Sequence, residues 1–113
     1  MIMSYVSKFN ENEFLEFPGA VSYPIFTLES SPIANCSAAF NVFQSETYPT
    51  TMGVHDDNEG FYVIEGFGKM MVGDEEYKLE PHTAMYAPAG VLHGIKKDPS
   101  SMDLKTFLYH FPK

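Results

Sequence analysis

The chain of 113 residues contains no arginine: its seven basic residues are all lysines, set against fifteen acids for a net charge of −8. Arginine is the usual planar fork for phosphate and carboxylate groups. A phosphosugar substrate is therefore not expected, although lysine or a helix N-terminus could still do that work. The acidic balance also argues against nucleic acid and membrane surfaces as partners, because both reward clustered positive charge. Cysteine is scarce too. A single Cys36 excludes an intrachain disulfide; in the run Cys36-Ser37-Ala38-Ala39-Phe40, with no basic neighbour, it is expected to be a buried structural thiol. The first twenty residues carry Lys8, Glu11, Glu13 and Glu16 and no long apolar run. That pattern fits neither a signal peptide nor a membrane span, so a cytoplasmic location is the expectation. Repeats, low-complexity tracts and linkers are likewise missing.

What is present is enough apolar matter for one small domain: 44% of the residues are hydrophobic and 15% aromatic, too many for a disordered chain. Residues 1–20 are mixed, with Phe9, Phe14, Leu15 and Phe17 among acids and asparagines. They read as an arm with a short turn or strand that packs on the rest of the domain or on a neighbour. From residue 21 to 113 short β-prone runs alternate with turn residues. The runs cover 21–28, 35–44, 50–55, 60–64, 68–72, 77–79, 83–87, 93–96 and 104–111, and Gly73-Asp74 between two of them suits a tight hairpin. No stretch of twelve residues in this region holds a 3.6-residue period. The expected class is all-β, a double-sheet jelly roll.

Chemistry concentrates in two short segments. His55-Asp56-Asp57-Asn58-Glu59 places a histidine and a glutamate four positions apart, with Gly66 seven residues further on; Pro88-Ala89-Gly90-Val91-Leu92-His93 adds a second histidine after a Pro/Gly turn. Two imidazoles and a carboxylate can hold a divalent transition metal with coordination positions left open. Taken singly, each of these residues would pass for a strand-end histidine or a surface acid; together and in order they carry more.

The same residues resemble the two motifs of the cupins, small β-barrels that hold a metal inside. His55, Glu59 and Gly66 match the end of the first motif, and Glu59-Gly60-Phe61-Tyr62-Val63-Ile64-Glu65-Gly66 looks like its usual ExxYVLEG; Pro88, Gly90 and His93 match PxGxxH of the second. The likeness covers residues 49–97. It implies a cupin barrel (a double-stranded β-helix, or jelly roll) with His55, Glu59 and His93 converging in its interior on a divalent metal such as iron, manganese, nickel or zinc. Three positions depart from the pattern. Gly53 stands where the family has its first histidine, His82 where the second motif opens with glycine, and Lys97 where it closes with asparagine. Gly53 leaves two readings: a site with weakened or absent metal binding, or a three-ligand site with an extra open position, close to the two-histidine, one-carboxylate arrangement of non-haem iron oxygenases.

Other residues read more blandly. Asp56 and Asp57 could supply a carboxylate, but an Asp-Asp-Asn run between strands reads first as a turn, and His82 in Glu80-Pro81-His82-Thr83 suits an exposed one. His110, alternating with aromatics in Leu108-Tyr109-His110-Phe111, reads as a structural histidine that could also line the pocket or lie in an interface. Tyr48, Tyr62 and Tyr86 could each donate a hydrogen bond in the pocket but read first as core or interface aromatics, and Met52, Met70, Met71 and Met85 read as adaptable packing that could also line an apolar pocket wall. The aromatic segments 9–17 and 107–111 are the expected contact of a two-fold homodimer. Two functions stand open: a metal-dependent enzyme on a small oxygenated metabolite, by dioxygenase-, isomerase- or lyase-type chemistry, or a non-catalytic binder of a small molecule. No residue can be named as general acid or base.

Overall fold

The computed structural model describes residues 4–113; residues 1–3 of the N-terminal arm lie outside them. Nine strands are formed among the described residues: β1 (Leu15–Phe17), β2 (Ala20–Phe26), β3 (Ser37–Phe43), β4 (Asn58–Glu65), β5 (Gly68–Val72), β6 (Glu75–Leu79), β7 (Ala84–Ala87), β8 (His93–Lys97) and β9 (Leu104–Phe111). They make an antiparallel six-stranded sheet in the order β1-β2-β3-β9-β4-β7 and a three-stranded sheet in the order β6-β5-β8. The fold is the all-β architecture the punctuated runs predict. No helix among the described residues is long and apolar enough to cross a membrane.

Alternation places the core. In a strand every second side chain meets the same face, and Phe61 and Val63 of β4 and Leu104 and Leu108 of β9 all face inward. Opposite them Met70, Leu79 and Ile95 come from the three-stranded sheet, so one buried cluster is shared by both sheets. Fully burying side chains of this size contributes about 1.5–3 kcal/mol each. Met70 thus takes the packing role expected of it. The outer face of the large sheet alternates in the opposite phase and carries Tyr62, Tyr86, Phe107, Tyr109 and Phe111. On the same face Phe9 of the arm packs against Tyr23 and Phe40 at centroid distances of 4.9 and 5.4 Å.

Two turns bear directly on the motifs. Gly73-Asp74 closes the β5–β6 hairpin as a two-residue loop, with Val72 paired to Glu75. Gly66, the motif glycine, has φ +90°, and a Cβ there would lie 2.6 Å from the Asp103 carbonyl oxygen. Only glycine fits without moving backbone.

Two expectations need correction. The run 50–55 is not a strand; it makes one isolated bridge, Gly53 to His93. The segment is pinned to β8 at both ends, by Lys97 N–H to Ser45 O (2.9 Å) and by the Gly53–His93 pair (2.8 and 2.9 Å). Eight residue steps on one side then span four on the other, so the segment must bow outward and cannot form a regular ladder. Cys36 is half-buried rather than buried, because the chain is still in a turn there (Cys36 N–H to Ile33 O, 3.3 Å) and enters β3 only at Ser37.

Candidate metal centre

Backbone geometry brings the two motifs together. Gly90 donates its N–H to the His55 carbonyl (2.8 Å), and Ala89 donates to Asn58 Oδ1 (2.9 Å), so the Pro88–Gly90 turn is laced to the loop that leads into β4. Gly90 holds φ +79°, a conformation that favours glycine. Directly after the turn, His93 opens β8, while Glu59 lies at the start of β4. Their side chains are nearly sealed from solvent, with 8% and 6% residue exposure.

Three donor atoms meet. His55 Nε2 lies 3.0 Å from Glu59 Oε1, His93 Nε2 lies 3.1 Å from the same oxygen, and the two imidazole nitrogens are 3.3 Å apart. Two donors bound at about 2.1 Å to one ion and at right angles stand about 3 Å apart, so this triangle has the size a metal needs. Two imidazoles and a carboxylate suit iron, manganese, nickel or zinc chemically. The set could hold such an ion, and it is the set the motif spacing brings forward.

Each of the three also has a partner on its far side, which aims the donor. His93 Nδ1–H donates to the Val91 carbonyl (3.0 Å), leaving Nε2 for the common point. His55 Nδ1 faces Asp57 Oδ1 at 2.6 Å. Glu59 Oε2 accepts from His110 Nε2 at 3.2 Å, while His110 Nδ1 meets Asp57 Oδ2 at 3.2 Å. Asp57 therefore lies behind two imidazoles and His110 behind the glutamate. Such outer partners fix tautomer and orientation.

The readings of Asp57 as a turn residue and His110 as a structural histidine are thus incomplete. Asp57 leads into β4 and His110 pairs with Glu59 across β9 and β4. The signal for His110 lies in its parity with Leu104, Thr106 and Leu108, all buried. His82 stays outside the site; it is exposed, in the turn after β6, and its Nδ1 bonds the Tyr62 hydroxyl at 2.6 Å. Tyr62 and Tyr86 point away from the interior. Tyr48 lines the cavity, but its hydroxyl is engaged with Glu76 at 2.7 Å.

Gly53 sits at the rim of the triangle. A Cβ built there would stand 3.5 Å from His93 Nε2 and 3.7 Å from Cε1, ordinary contact distances. The backbone therefore does not demand glycine at this position, and a side chain on it would point into the site.

Contacts within the cluster shift the titration of three of its groups. Burial pushes the Glu59 carboxyl up, but hydrogen bonds from His110 and His93 outweigh it and hold the group down at about 2. Contact with Glu59 raises His93 and His110 above the ordinary imidazole value, against the opposing effect of burial. The Glu59 contribution to stability is present above the usual carboxylate range and is lost as pH falls toward about 2. The histidine contribution is complete below about pH 6.5 and is lost as pH rises through the raised values. Chelator-treated protein should melt highest near pH 5–6 and progressively lower toward pH 9; thermal scans across that range check this, and a flat or rising profile would contradict it. Metal uptake should show the reverse trend, because the ligands must shed protons to bind.

On the Glu59 side of the triangle open two neighbouring lobes of about 350 and 710 Å³ whose walls share Phe17, Asn41, Glu59 and Leu108. This is the size range of small-molecule sites. The bowed segment 47–51 forms part of the larger lobe's wall.

Comparison with known proteins identifies the family and agrees with the fold. The family model described as Cupin domain matches residues 43–108, more than half of the chain. The protein belongs to the cupin family. Among solved structures it is similar to the plu4264 protein from Photorhabdus luminescens (TM-score 0.78, 16% identity, 98% of this chain and 90% of that one). It is also similar to a variant of oxalate decarboxylase from B. subtilis (0.80, 16%, 99% and 30%) and to a variant of salicylate 1,2-dioxygenase from Pseudoaminobacter salicylatoxidans (0.68, 18%, 83% and 27%). The chain spans under a third of the length of either enzyme. No curated protein matches.

Proposed function

We propose that this cupin holds one divalent transition-metal ion through His55, Glu59 and His93 and acts on a small oxygenated metabolite in the cavity beside it. The observation that carries the reading is the triangle of Nε2, Nε2 and Oε1 atoms at 3.0, 3.1 and 3.3 Å, with Gly53 contributing no fourth donor. A bound ion would supply Lewis-acid or oxygen-activating chemistry, of dioxygenase, isomerase or lyase type. The chain's own residues orient the ligands and leave Glu59 and His93 facing the cavity, with the Phe61 ring beside His93 (centroids 6.3 Å apart) as part of its apolar wall. Catalytic metal sites keep such a position for substrate. The similarity to an oxalate decarboxylase and a salicylate dioxygenase is consistent with that chemistry but does not choose a reaction.

An open site is directly measurable. Manganese-loaded protein should strongly enhance the relaxation of solvent protons through an exchangeable bound water, and the enhancement should fall when a small oxygen chelator is added. A loaded protein with no enhancement would have a closed centre, contrary to the proposal.

We also propose a two-fold homodimer through the aromatic outer face of the six-stranded sheet. Tyr62 and Tyr86 are 39% and 61% exposed there, beside Phe107, Tyr109 and Phe111. Exposed apolar faces of this kind mark contact surfaces. Light scattering at micromolar concentration should give twice the 12.7 kDa chain mass, and Tyr86→Lys on the edge strand should shift it toward the single-chain value. A monomeric wild-type mass would refute the assembly.

A further inference from the structure

The inner face of the large sheet carries a polar row that the metal triangle does not use. Ser22, Asn41 and Thr106 pair across β2, β3 and β9, in line with Val63 of β4. Asn41 Oδ1 and Thr106 Oγ1 are buried without a hydrogen-bond partner, and Thr106 is fully shielded from solvent. Unpaired polar atoms in a core cost stability, and apolar residues of similar size would avoid that cost. Asn41 lines both lobes of the cavity, together with Glu59. A ligand seated against the triangle would therefore have Asn41 within the same space.

The basic groups in the cavity wall, His93 and His110, are both already engaged with Glu59. No lysine lines either lobe, and the chain has no arginine. Lys69 and Lys105 are paired at the surface with Asp98 and Glu65, and Lys96 lies over the Tyr48 ring. A divalent ion next to the Glu59 carboxylate leaves at most one net positive charge at the triangle, because any charge on His110 is matched by Asp57 3.2 Å away. One negative charge on a ligand balances it; a second would be buried without a partner, which is strongly unfavourable. Much of the remaining wall is apolar, from Phe43, Phe61, Ala39 and Leu108.

We propose that the cavity selects small oxygen-chelating ligands carrying a single negative charge, and that Asn41 recognises their uncharged polar end. This rests on the metal reading above. Oxamate and oxalate test it, being nearly the same size and shape but carrying one and two negative charges. Nickel content of the loaded protein is measured first; a chain that takes up no metal overturns the metal reading and this one with it. With nickel bound, calorimetric affinities are normalised to those for free nickel in water. Oxamate is then expected to bind at least tenfold more tightly than oxalate. Asn41→Leu should retain nickel and lose about three- to tenfold in oxamate affinity, the size of one hydrogen bond, and Asn41→Ser serves the same purpose if leucine does not fold. Asn41→Lys should move the preference toward oxalate. Equal normalised affinities for the two ions, or oxamate binding unchanged in both Asn41→Leu and Asn41→Ser, would overturn the proposal while leaving the metal reading intact.

Discussion

Replacing His93 by alanine is expected to abolish metal binding in this protein. The imidazole is buried, contributes one of three converging donor atoms and stands 3.1 Å from Glu59 Oε1. Its loss leaves the triangle one histidine and one carboxylate; Asp57 and His110, which with His55 form a second close donor set, are engaged with each other at 3.2 Å rather than turned to the common point. The outer partners should grade the response. Asp57→Asn weakens the hold on His55 and His110, and His110→Leu frees Glu59 Oε2; losses of this kind cost about 10- to 100-fold in affinity. His82→Ala should do nothing, since that ring bonds Tyr62 outside the site. Metal titration of the four variants gives a ranking. Retention of metal by His93→Ala, or a loss on His82→Ala as large as on Asp57→Asn, would contradict the assignment of the triangle.

Gly53→His is expected to act in the opposite direction. The position bridges His93 through both backbone hydrogen bonds, and a Cβ there would meet the His93 ring at 3.5 Å without a clash. An imidazole at 53 should therefore reach the centre as a fourth donor and raise affinity by about tenfold or more, at least the size of effect seen for outer partners. The same substitution should reduce the solvent-proton relaxation of the manganese form, because it fills a position otherwise open to water. Tighter binding with unchanged relaxation would place the new ligand outside the open side. Unchanged affinity would mean that residue 53 does not address the metal.

Much of this was legible in the sequence because the fold writes itself locally. Turn residues such as Gly73-Asp74 and Pro88-Gly90 act over a few positions, and strand alternation shows directly in Leu104, Thr106 and Leu108. His55, Glu59 and His93 could be named because they match the two cupin motifs, whose residues lie within one loop and one turn. Asp57 and His110 could not be paired that way. Their contact depends on β9 lying beside β4 with His110 opposite Glu59, a long-range register that leaves no local trace. The failed strand at 50–55 has the same origin. Its composition is β-prone, but the spacing of its two attachments to β8 bows it outward, and that spacing exists only in the assembled sheet. Asn41 was likewise invisible: an asparagine in a strand draws notice only when its amide is found buried and unpartnered.

The most direct test is elemental analysis of the wild-type chain after separate incubation with iron, manganese, nickel and zinc and removal of free ion. The structure predicts close to one equivalent per chain with at least one of these metals, lost in His93→Ala. Wild-type protein that retains none of the four would contradict the metal centre.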